Sequence, residues 1–142
     1  MSETTTTDRV EFELVSPQRL LRSEPVEMVV VPGAEGDFGV LPGHSLLIAT
    51  VRPGVIDIHE GGQVKESIFV AGGFAEVSPE RCTVLAEEAV PVGDIDKAAA
   101  ETRLENAKAA LAKAEADPDA TTAALGRELK AAEAMVAAVA RS

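Results

Sequence analysis

The sequence has neither tryptophan nor tyrosine, and its 142 residues include only four phenylalanines and one cysteine, Cys82. Few aromatic residues are available to line a concave ligand site, and the core has to be built from Val, Leu, Ile and Ala. One cysteine can form no internal disulfide and no cysteine-based zinc site, which fits a reducing compartment. We interpret Cys82, which lies on an apolar strand, as a small core residue.

Basic residues are scarce: 13 Lys and Arg stand against 24 Asp and Glu, giving a formal charge of −11. A field of this sign repels nucleic acid and anionic lipid headgroups, so nucleic-acid binding is disfavoured. No apolar run approaches the ~18 to 20 residues of a membrane-spanning helix, and the N-terminus has no apolar signal core. The sequence therefore predicts a soluble cytosolic chain without direct bilayer insertion.

Motifs of catalysis and of cofactor binding are also missing. The only histidines are His44 and His59, without the spacing of a metal-binding pair, and no serine lies in a G-x-S-x-G elbow. Glu35 and Asp37 could pair for acid/base chemistry, but no second polar cluster accompanies them. We expect no catalytic residues, no metal and no cofactor.

Short apolar or alternating runs, typical of β-strands, fill the first two thirds of the chain. They cover residues 10–14, 26–31, 46–51, 55–59, 64–71, 74–77 and 82–86. Glycine, proline and acidic residues separate them, and Glu60-Gly61-Gly62 is a hairpin signal. The spacing predicts an antiparallel sandwich or barrel over residues 10–92. Residues 1–9 are polar and Thr-rich, which predicts a flexible leader.

One stretch, residues 33–54, stands out because glycines and prolines crowd its first half and an apolar run follows. Glycine permits positive φ and proline fixes φ, so we predict a defined loop between two strands. The loop is not a phosphate cradle, because it lacks the lysine and the following helix of a Walker motif.

After Pro91-Val92-Gly93 the sequence becomes rich in Ala, Glu, Lys and Leu, which predicts helix. Asp94 is the expected N-cap, and Asp117-Pro118 is expected to stop one helix and start the next. The prediction is an antiparallel αα-hairpin within residues 93–142, with helices at about 95–116 and 119–140.

Each predicted helix has an apolar stripe dominated by alanine. The stripes comprise Ala100, Leu104, Ala107, Leu111 and Ala114 in the first helix and Leu125, Leu129, Ala132, Val136 and Val139 in the second. Alanine buries little area, so we expect a weakly held hairpin that is able to detach or open; the alternative is a hairpin that packs on itself or on the sandwich.

The remaining charged side chains have ordinary explanations. We interpret Arg103, Lys108, Arg127 and Lys130 as the solvated faces of the helices, and His59 as a solvated residue at a strand end. For His44 a hydrogen bond to the backbone is the default, with a partner contact as the alternative.

Several segments together resemble the epsilon subunit of the F-type ATP synthase. They are GAEGDFGVLPGHSLL, VRPGVIDI, AGGFAEV, VLAEEAV and the D-I-D that opens the hairpin. The pattern G-x-x-G-x-x-G-[VI]-x-P-G-H is quite specific to that family, and the match covers roughly residues 10–140. The resemblance implies a ten-stranded antiparallel β-sandwich followed by an antiparallel αα-hairpin.

The same resemblance implies a non-catalytic central-stalk subunit that rotates with the gamma subunit and the proteolipid ring, coupling proton translocation to ATP synthesis. Its place is peripheral, on the cytoplasmic side of the bacterial inner membrane. The alpha and beta subunits are further partners, through the hairpin. By similarity, Glu35, Asp37 and His44 contact the ring, and Ser16 is a further rotor contact.

The hairpin departs from the family's pattern. Several bacterial relatives carry [IL]-D-x-x-R-A, whose Asp and Arg help to bind a regulatory ATP. The corresponding residues here are Ile95, Asp96, Ala99 and Ala100. Since alanine cannot replace the guanidinium that holds phosphate, we expect weak or absent ATP binding.

The family's second helix can also inhibit hydrolysis by presenting basic residues to the beta subunit. Here Arg127, Lys130 and Arg141 are nearly balanced by Glu128 and Glu133, so we expect feeble inhibition.

Two other classes of function remain open from the residues alone. A stand-alone β-sandwich ligand-binding module with a helical oligomerisation tail predicts a stable homo-oligomer and an aromatic-lined site. An enzyme predicts turnover by the purified chain, although the sequence offers no catalytic constellation.

Overall fold

The computed structural model describes residues 8–141. The predicted flexible leader, residues 1–9, lies almost wholly outside the described residues. In the described part, an N-terminal sandwich of ten strands is followed by two long helices.

The strands have the following bounds: β1 Val10–Val15, β2 Leu20–Val26, β3 Met28–Gly33, β4 Gly36–Val40, β5 Leu47–Val51, β6 Gly54–Glu60, β7 Gln63–Val70, β8 Gly73–Val77, β9 Arg81–Ala86 and β10 Ala89–Pro91. A short 3-10 turn, Val92–Asp94, leads to α1, Lys97–Glu115, and α2, Ala123–Arg141. The implied fold, a ten-stranded β-sandwich followed by a helical hairpin, is confirmed.

The strands are hydrogen-bonded in the order β10-β7-β6-β3-β5-β8-β9-β1-β2, and β4 pairs with β3 beside this path. The prediction of an antiparallel sheet is wrong at one place, because β1 and β9 run parallel, with Phe12 opposite Cys82. Tight hairpins impose antiparallel pairing, whereas β1 and β9 are far apart in the chain and no tight turn sets their directions.

Three strands were not predicted: β10 has only three residues, and the residues of β2 and β4 lack an apolar period. β2 carries charges and Pro25, yet it pairs along β1 from Val10 opposite Val26; as an edge strand it tolerates proline. β4 lies inside the stretch that was predicted to be a loop, and it pairs with β3 from Val29 opposite Val40 to Gly33 opposite Gly36. The glycine-rich segment is therefore largely a β-hairpin, here called the β3–β4 arm.

The core follows the alternation of the strands. Inward-facing Phe12, Leu14, Ile56 and Ile58 are fully buried. Cys82 is buried among them, as predicted, and burial raises the pKa of its thiol to about 12. The thiol is therefore protonated and unreactive at neutral pH. The predicted β6–β7 hairpin is also confirmed, with positive φ at Gly61 and Gly62.

The helix boundaries differ from the predicted ones because two aspartates cap other turns. The N-cap of α1 is Asp96 rather than Asp94: its Oδ1 accepts a hydrogen bond of 3.0 Å from the Ala98 N–H. At the other end, Asp117 Oδ1 accepts from the Asp119 N–H at 3.0 Å. Because of this local turn around the proline, the second helix begins at Ala123 and not at residue 119.

The apolar stripe of α1 is confirmed, since each of its five members is buried or half-buried. The buried face of α2 is broader than predicted and includes Ala131, Met135 and Ala138. Together with Phe69 and Val92, residues of both helices form a second apolar cluster against the sandwich. The hairpin thus packs on itself and on the sandwich, a state here called docked.

Candidate functional site: two docking surfaces and the hairpin contact

The β3–β4 arm presents Glu35 and Asp37 to solvent at its turn. Asp37 Oδ1 lies 2.6 Å from Nη2 of Arg52, whose Nη1 also donates to the Gly33 carbonyl oxygen at 2.5 Å. The carboxylate and the guanidinium are 60% and 43% exposed, so this ion pair is worth little and can be exchanged for a partner's charge. The tip of the arm is therefore an accessible polar surface.

His44 does not join the two carboxylates. It follows β4, so at least three residues of strand, roughly 10 Å, separate it from Asp37. The imidazole is half-buried, and Nδ1 lies 2.7 Å from the Ser45 carbonyl oxygen, to which it donates. The default expectation, a hydrogen bond to the backbone, is confirmed; a contact between His44 and a partner stays a prediction.

Ser16 is placed elsewhere again, at the end of β1. It is 9% exposed, and its hydroxyl lies 3.4 Å from both the Arg19 carbonyl oxygen and the Gln18 Oε1. Because the hydroxyl already has partners within the chain, Ser16 shapes a turn beside a groove rather than offering a free donor.

A second surface, which the sequence analysis missed, is an exposed apolar face on four adjacent strands. Thr50 of β5 lies opposite Phe74 of β8, Phe74 opposite Leu85 of β9, and Leu85 opposite Val15 of β1. Phe74 is 58% exposed, Leu85 54% and the nearby Ile48 75%. We call this surface the outer face. Its signal in the sequence was an apolar residue at the outward phase of a strand, as with Leu85 between inward Val84 and Ala86.

A groove of about 720 Å³ lies between the outer face and α2. Its floor includes Val15, Phe74 and Leu85, and its wall on α2 includes Arg127 and Lys130. A smaller groove of about 480 Å³ separates the β3–β4 arm from β5. Both grooves open onto exposed apolar side chains, so a partner that covers the outer face can enter them.

The docked hairpin is tied to the sandwich by Arg103 of α1, which contacts two carboxylates. Its Nη1 and Nη2 each donate at 3.0 Å to Glu88, which lies between β9 and β10. Its Nε and Nη2 donate to Glu128 of α2 at 2.8 and 2.9 Å. One guanidinium therefore joins three parts of the fold.

This cluster corrects the interpretation of Arg103 as a solvated residue. The hydrogen bonds that Arg103 donates to the Glu128 carboxylate raise the pKa of Arg103 above its ordinary value, and the guanidinium in turn lowers the pKa of Glu128. Lys108, Arg127 and Lys130 are exposed, as predicted. The sequence pattern could not distinguish Arg103 from these three, because both of its partners are distant in the chain.

Residues 8–141 offer neither a metal-binding cluster nor a membrane-spanning helix. No group of three or more His, Cys, Asp or Glu side chains could hold a metal ion there. Neither α1 nor α2 is long and apolar enough to cross a membrane.

Comparison with known proteins identifies the family. Residues 9–92 match the model of the ATP synthase, Delta/Epsilon chain, beta-sandwich domain. The ATP synthase epsilon chain of Paramagnetospirillum magneticum is 61% identical over 133 residues, which are 94% of this chain and 98% of the relative. The chain belongs to the ATP synthase epsilon family. The resemblance noted in the sequence is thereby confirmed.

Other relatives agree with this placement in the epsilon family. The epsilon chain of Rhodospirillum rubrum is 53% identical over 138 residues, covering 97% of this chain and 98% of the relative. A chain in the cryo-EM structure of the Euglena gracilis mitochondrial ATP synthase, OSCP/F1/c-ring in rotational state 1, matches with a TM-score of 0.78 and 26% identity. That match covers 98% of this chain and 86% of the other.

Family membership answers the question of catalysis. Epsilon chains are non-catalytic accessory subunits of the ATP synthase, so the chain is not an enzyme by itself. The stand-alone ligand-binding module loses its support for the same reason.

The four residues that correspond by resemblance to the family's ATP motif lie at and just before the start of α1. Asp96 is engaged as the N-cap of α1, and Ala99, which the resemblance aligns with the motif's arginine, is exposed. Ile95 is half-buried and Ala100 is buried against the sandwich. The nearest arginine on this helix, Arg103, is held by Glu88 and Glu128. Within the described part of the chain, α1 therefore has no arginine outside this cluster.

Proposed function

We propose that this chain is the rotor subunit of the central stalk that links the gamma subunit to the proteolipid ring and couples proton translocation to ATP synthesis. Its location would be peripheral, on the cytoplasmic side of the bacterial inner membrane. The observation that carries the proposal is the outer face: large apolar side chains, more than half exposed, aligned across adjacent strands of an epsilon-family sandwich.

We assign the gamma subunit to the outer face. Monomeric proteins rarely expose such a contiguous apolar surface, and permanent interfaces are richer in apolar side chains than ordinary surfaces. Ile48, Phe74 and Leu85 would form the centre of this interface. Because they lie on hydrogen-bonded strands over a close-packed core, the surface is rigid enough to transmit torque.

We assign the polar loops of the proteolipid ring to the tip of the β3–β4 arm. Glu35 and Asp37 are exposed there, and the Asp37–Arg52 pair could exchange partners with a charged loop. His44 and Ser16 would support neighbouring rotor contacts through the turns that they stabilise. The alpha and beta subunits would be met only by a released hairpin, since α2 packs on the sandwich in the docked state.

The test for gamma binding is Leu85→Asp, measured as affinity for a gamma-containing catalytic assembly that lacks epsilon. A charge at the centre of an apolar interface should weaken binding by about a hundredfold. Val64→Asp is the matched control, because Val64 is 49% exposed on β7, away from the outer face. Equal effects of the two changes would remove the outer face as the gamma site.

The test for ring contact is Asp37→Lys in the assembled enzyme, with Asp119→Lys in the exposed inter-helix turn as the control. We expect weaker rotor assembly and poorer coupling only in the first variant. Unchanged coupling with Asp37→Lys would place the ring contact in another part of the arm.

We further propose that inhibition by the hairpin is feeble. Arg127 and Lys130 offer few charges to the catalytic head, and in the docked state they line a groove of the sandwich. Deleting residues 94–142 should leave the hydrolysis rate of the assembled enzyme almost unchanged. A several-fold rise after this deletion would contradict the proposal.

A further inference from the structure

We propose that the groove between the outer face and α2 seats an apolar segment of the gamma subunit that bears a carboxylate, so that one partner contacts the sandwich and the docked hairpin together. This inference rests on the assignment of gamma to the outer face. It adds a chemical identity for the bound segment and a role for the hairpin in binding.

The groove combines an apolar floor with charged side chains, among which three cations, Arg52, Arg127 and Lys130, outnumber the one carboxylate, Glu87. Val15, Phe74 and Leu85 make an apolar floor on three adjacent strands. Arg127 and Lys130, three residues apart on α2, place two cations along the opposite wall. An occupant that satisfies both linings has an apolar body and a negative charge.

The two cations are available for such an occupant. Every other Arg of the hairpin is engaged: Arg103 with Glu88 and Glu128, and Arg141 with Asp57. Within residues 8–141, neither Arg127 nor Lys130 takes part in any of the side-chain hydrogen bonds or ion pairs found. In a chain of formal charge −11, an unengaged basic pair beside an apolar floor is a local exception that selects for an acidic partner.

The shape of the surface favours a protein segment over a small molecule. Phe74 and Leu85 belong both to the floor of the groove and to the outer face, where Phe74 is 58% exposed and the nearby Ile48 is 75% exposed. A small ligand would leave that surface uncovered, whereas a subunit that covers the outer face also reaches the groove. Continuity with the proposed interface therefore identifies gamma as the occupant.

The arrangement makes gamma binding and hairpin docking interdependent. The groove has its basic wall only while α2 is docked, so gamma should bind the docked state more tightly than the released one. A partner with that difference in affinity shifts the population toward docking, and docking raises its affinity by the same factor. Binding of gamma would thus stabilise the docked state of the hairpin.

The experiment compares the full chain with two doubly substituted variants of equal charge change. In the first, Arg127→Glu and Lys130→Glu reverse the groove wall; in the second, Lys108→Glu and Lys113→Glu reverse two exposed cations of α1. Affinity for the epsilon-depleted, gamma-containing assembly is measured at physiological ionic strength. We expect about a tenfold loss for the first variant and less than about a twofold change for the second.

Three results would overturn the inference. Unchanged affinity of the groove-wall variant, with Leu85→Asp still disruptive, would leave the proposed function intact and remove the hairpin from the gamma site. Equal losses in the two double variants would reduce the effect to general electrostatics. Absence of binding by the unmodified chain would instead defeat the proposed function itself.

Other occupants are tested in the same series. Sedimentation measures whether the free chain dimerises. A dimer that forms with the unmodified chain but not with the groove-wall variant would assign the groove to a second copy of the chain and contradict the inference. If micromolar dodecanoate displaces gamma from the unmodified chain but not from the groove-wall variant, the occupant of the groove is an amphipathic small anion, and the inference is wrong. The uncharged pair Arg127→Ala and Lys130→Ala, expected to lose affinity in the same direction, guards against misfolding of the reversed variant.

Discussion

Arg103→Ala should release the hairpin from the sandwich more often, because it removes the side chain that joins α1 to Glu88 and Glu128. An exposed ion pair contributes about 0.2–1 kcal/mol, and bidentate geometry favours the upper part of that range. The guanidinium side chain is 24% exposed and its partners are 38% and 42% exposed, so solvent screens both pairs. With the lost packing of the arginine stem, the docked state should lose about 1–2 kcal/mol.

A loss of this size changes the ratio of docked to released hairpin by roughly 5- to 30-fold. Pulsed electron paramagnetic resonance can measure it between spin labels on Ala137→Cys and Gln63→Cys, both exposed positions, one on α2 and one on β7. Cys82 need not be removed, because it is buried and its thiol pKa is raised to about 12. The released population should appear as a second, longer distance.

Two further variants make the result specific. Lys108→Ala is the matched control: Lys108 lies on the same helix, and its ion pair is a 4.0 Å contact with Glu105 three residues away. Arg103→Lys keeps the charge but loses the forked guanidinium. Its released fraction should therefore lie between those of the unmodified chain and Arg103→Ala. If Arg103→Ala gives the same distance distribution as the unmodified chain, the cluster does not hold the hairpin and the argument from its geometry is wrong.

Three more predictions concern stability, pH and nucleotide. Gly73→Ala should destabilise the sandwich by about 2–5 kcal/mol in chemical denaturation, because the new Cβ would lie 1.9 Å from the Leu85 carbonyl oxygen at a φ of +149°; Gly126→Ala on α2, with nothing within 4 Å, should stabilise by about 0.5–1 kcal/mol instead. Docking should weaken as the pH falls below 4.5, the ordinary pKa of Glu128. The ion pair with Arg103 lowers the pKa of that carboxyl in the docked state, so its stabilisation is complete above the ordinary pKa and is lost as the carboxyl is protonated. The distance between the spin labels should report this loss of docking, and Arg103→Ala should abolish the pH dependence. Calorimetric titration of the chain with ATP should give no micromolar binding, because Ala99 cannot hold phosphate, and a micromolar dissociation constant would refute that reasoning.

The strands that were predicted correctly are those whose own residues carry the pattern. In β6 the apolar residues alternate, and Gly61 and Gly62 supply the positive φ of the following turn. β2 and β4 were missed because charge, proline and glycine dominate them. They become strands by pairing with β1 and β3, which is a property of the neighbours and not of the segment.

The candidate site likewise has one part that local sequence could predict and other parts that it could not. The tip of the β3–β4 arm could be singled out from its glycine and proline usage and from the family pattern. The outer face could not, because exposed apolar residues such as Phe74 look like core residues until pairing shows which way they point. Arg103 was misinterpreted because Glu88 is 15 residues away and Glu128 is 25 residues away.

The sequence by itself determined the two-part architecture, the buried thiol, the hairpin turns and the family. Each of these depends on local period, turn chemistry or a contiguous motif, which are written along the chain. Only the tertiary structure decided that β1 pairs parallel with β9, that Phe74 and Leu85 form one face, and that Arg103 bridges Glu88 and Glu128. Those features depend on contacts between distant segments, and such contacts exist only after the chain has folded.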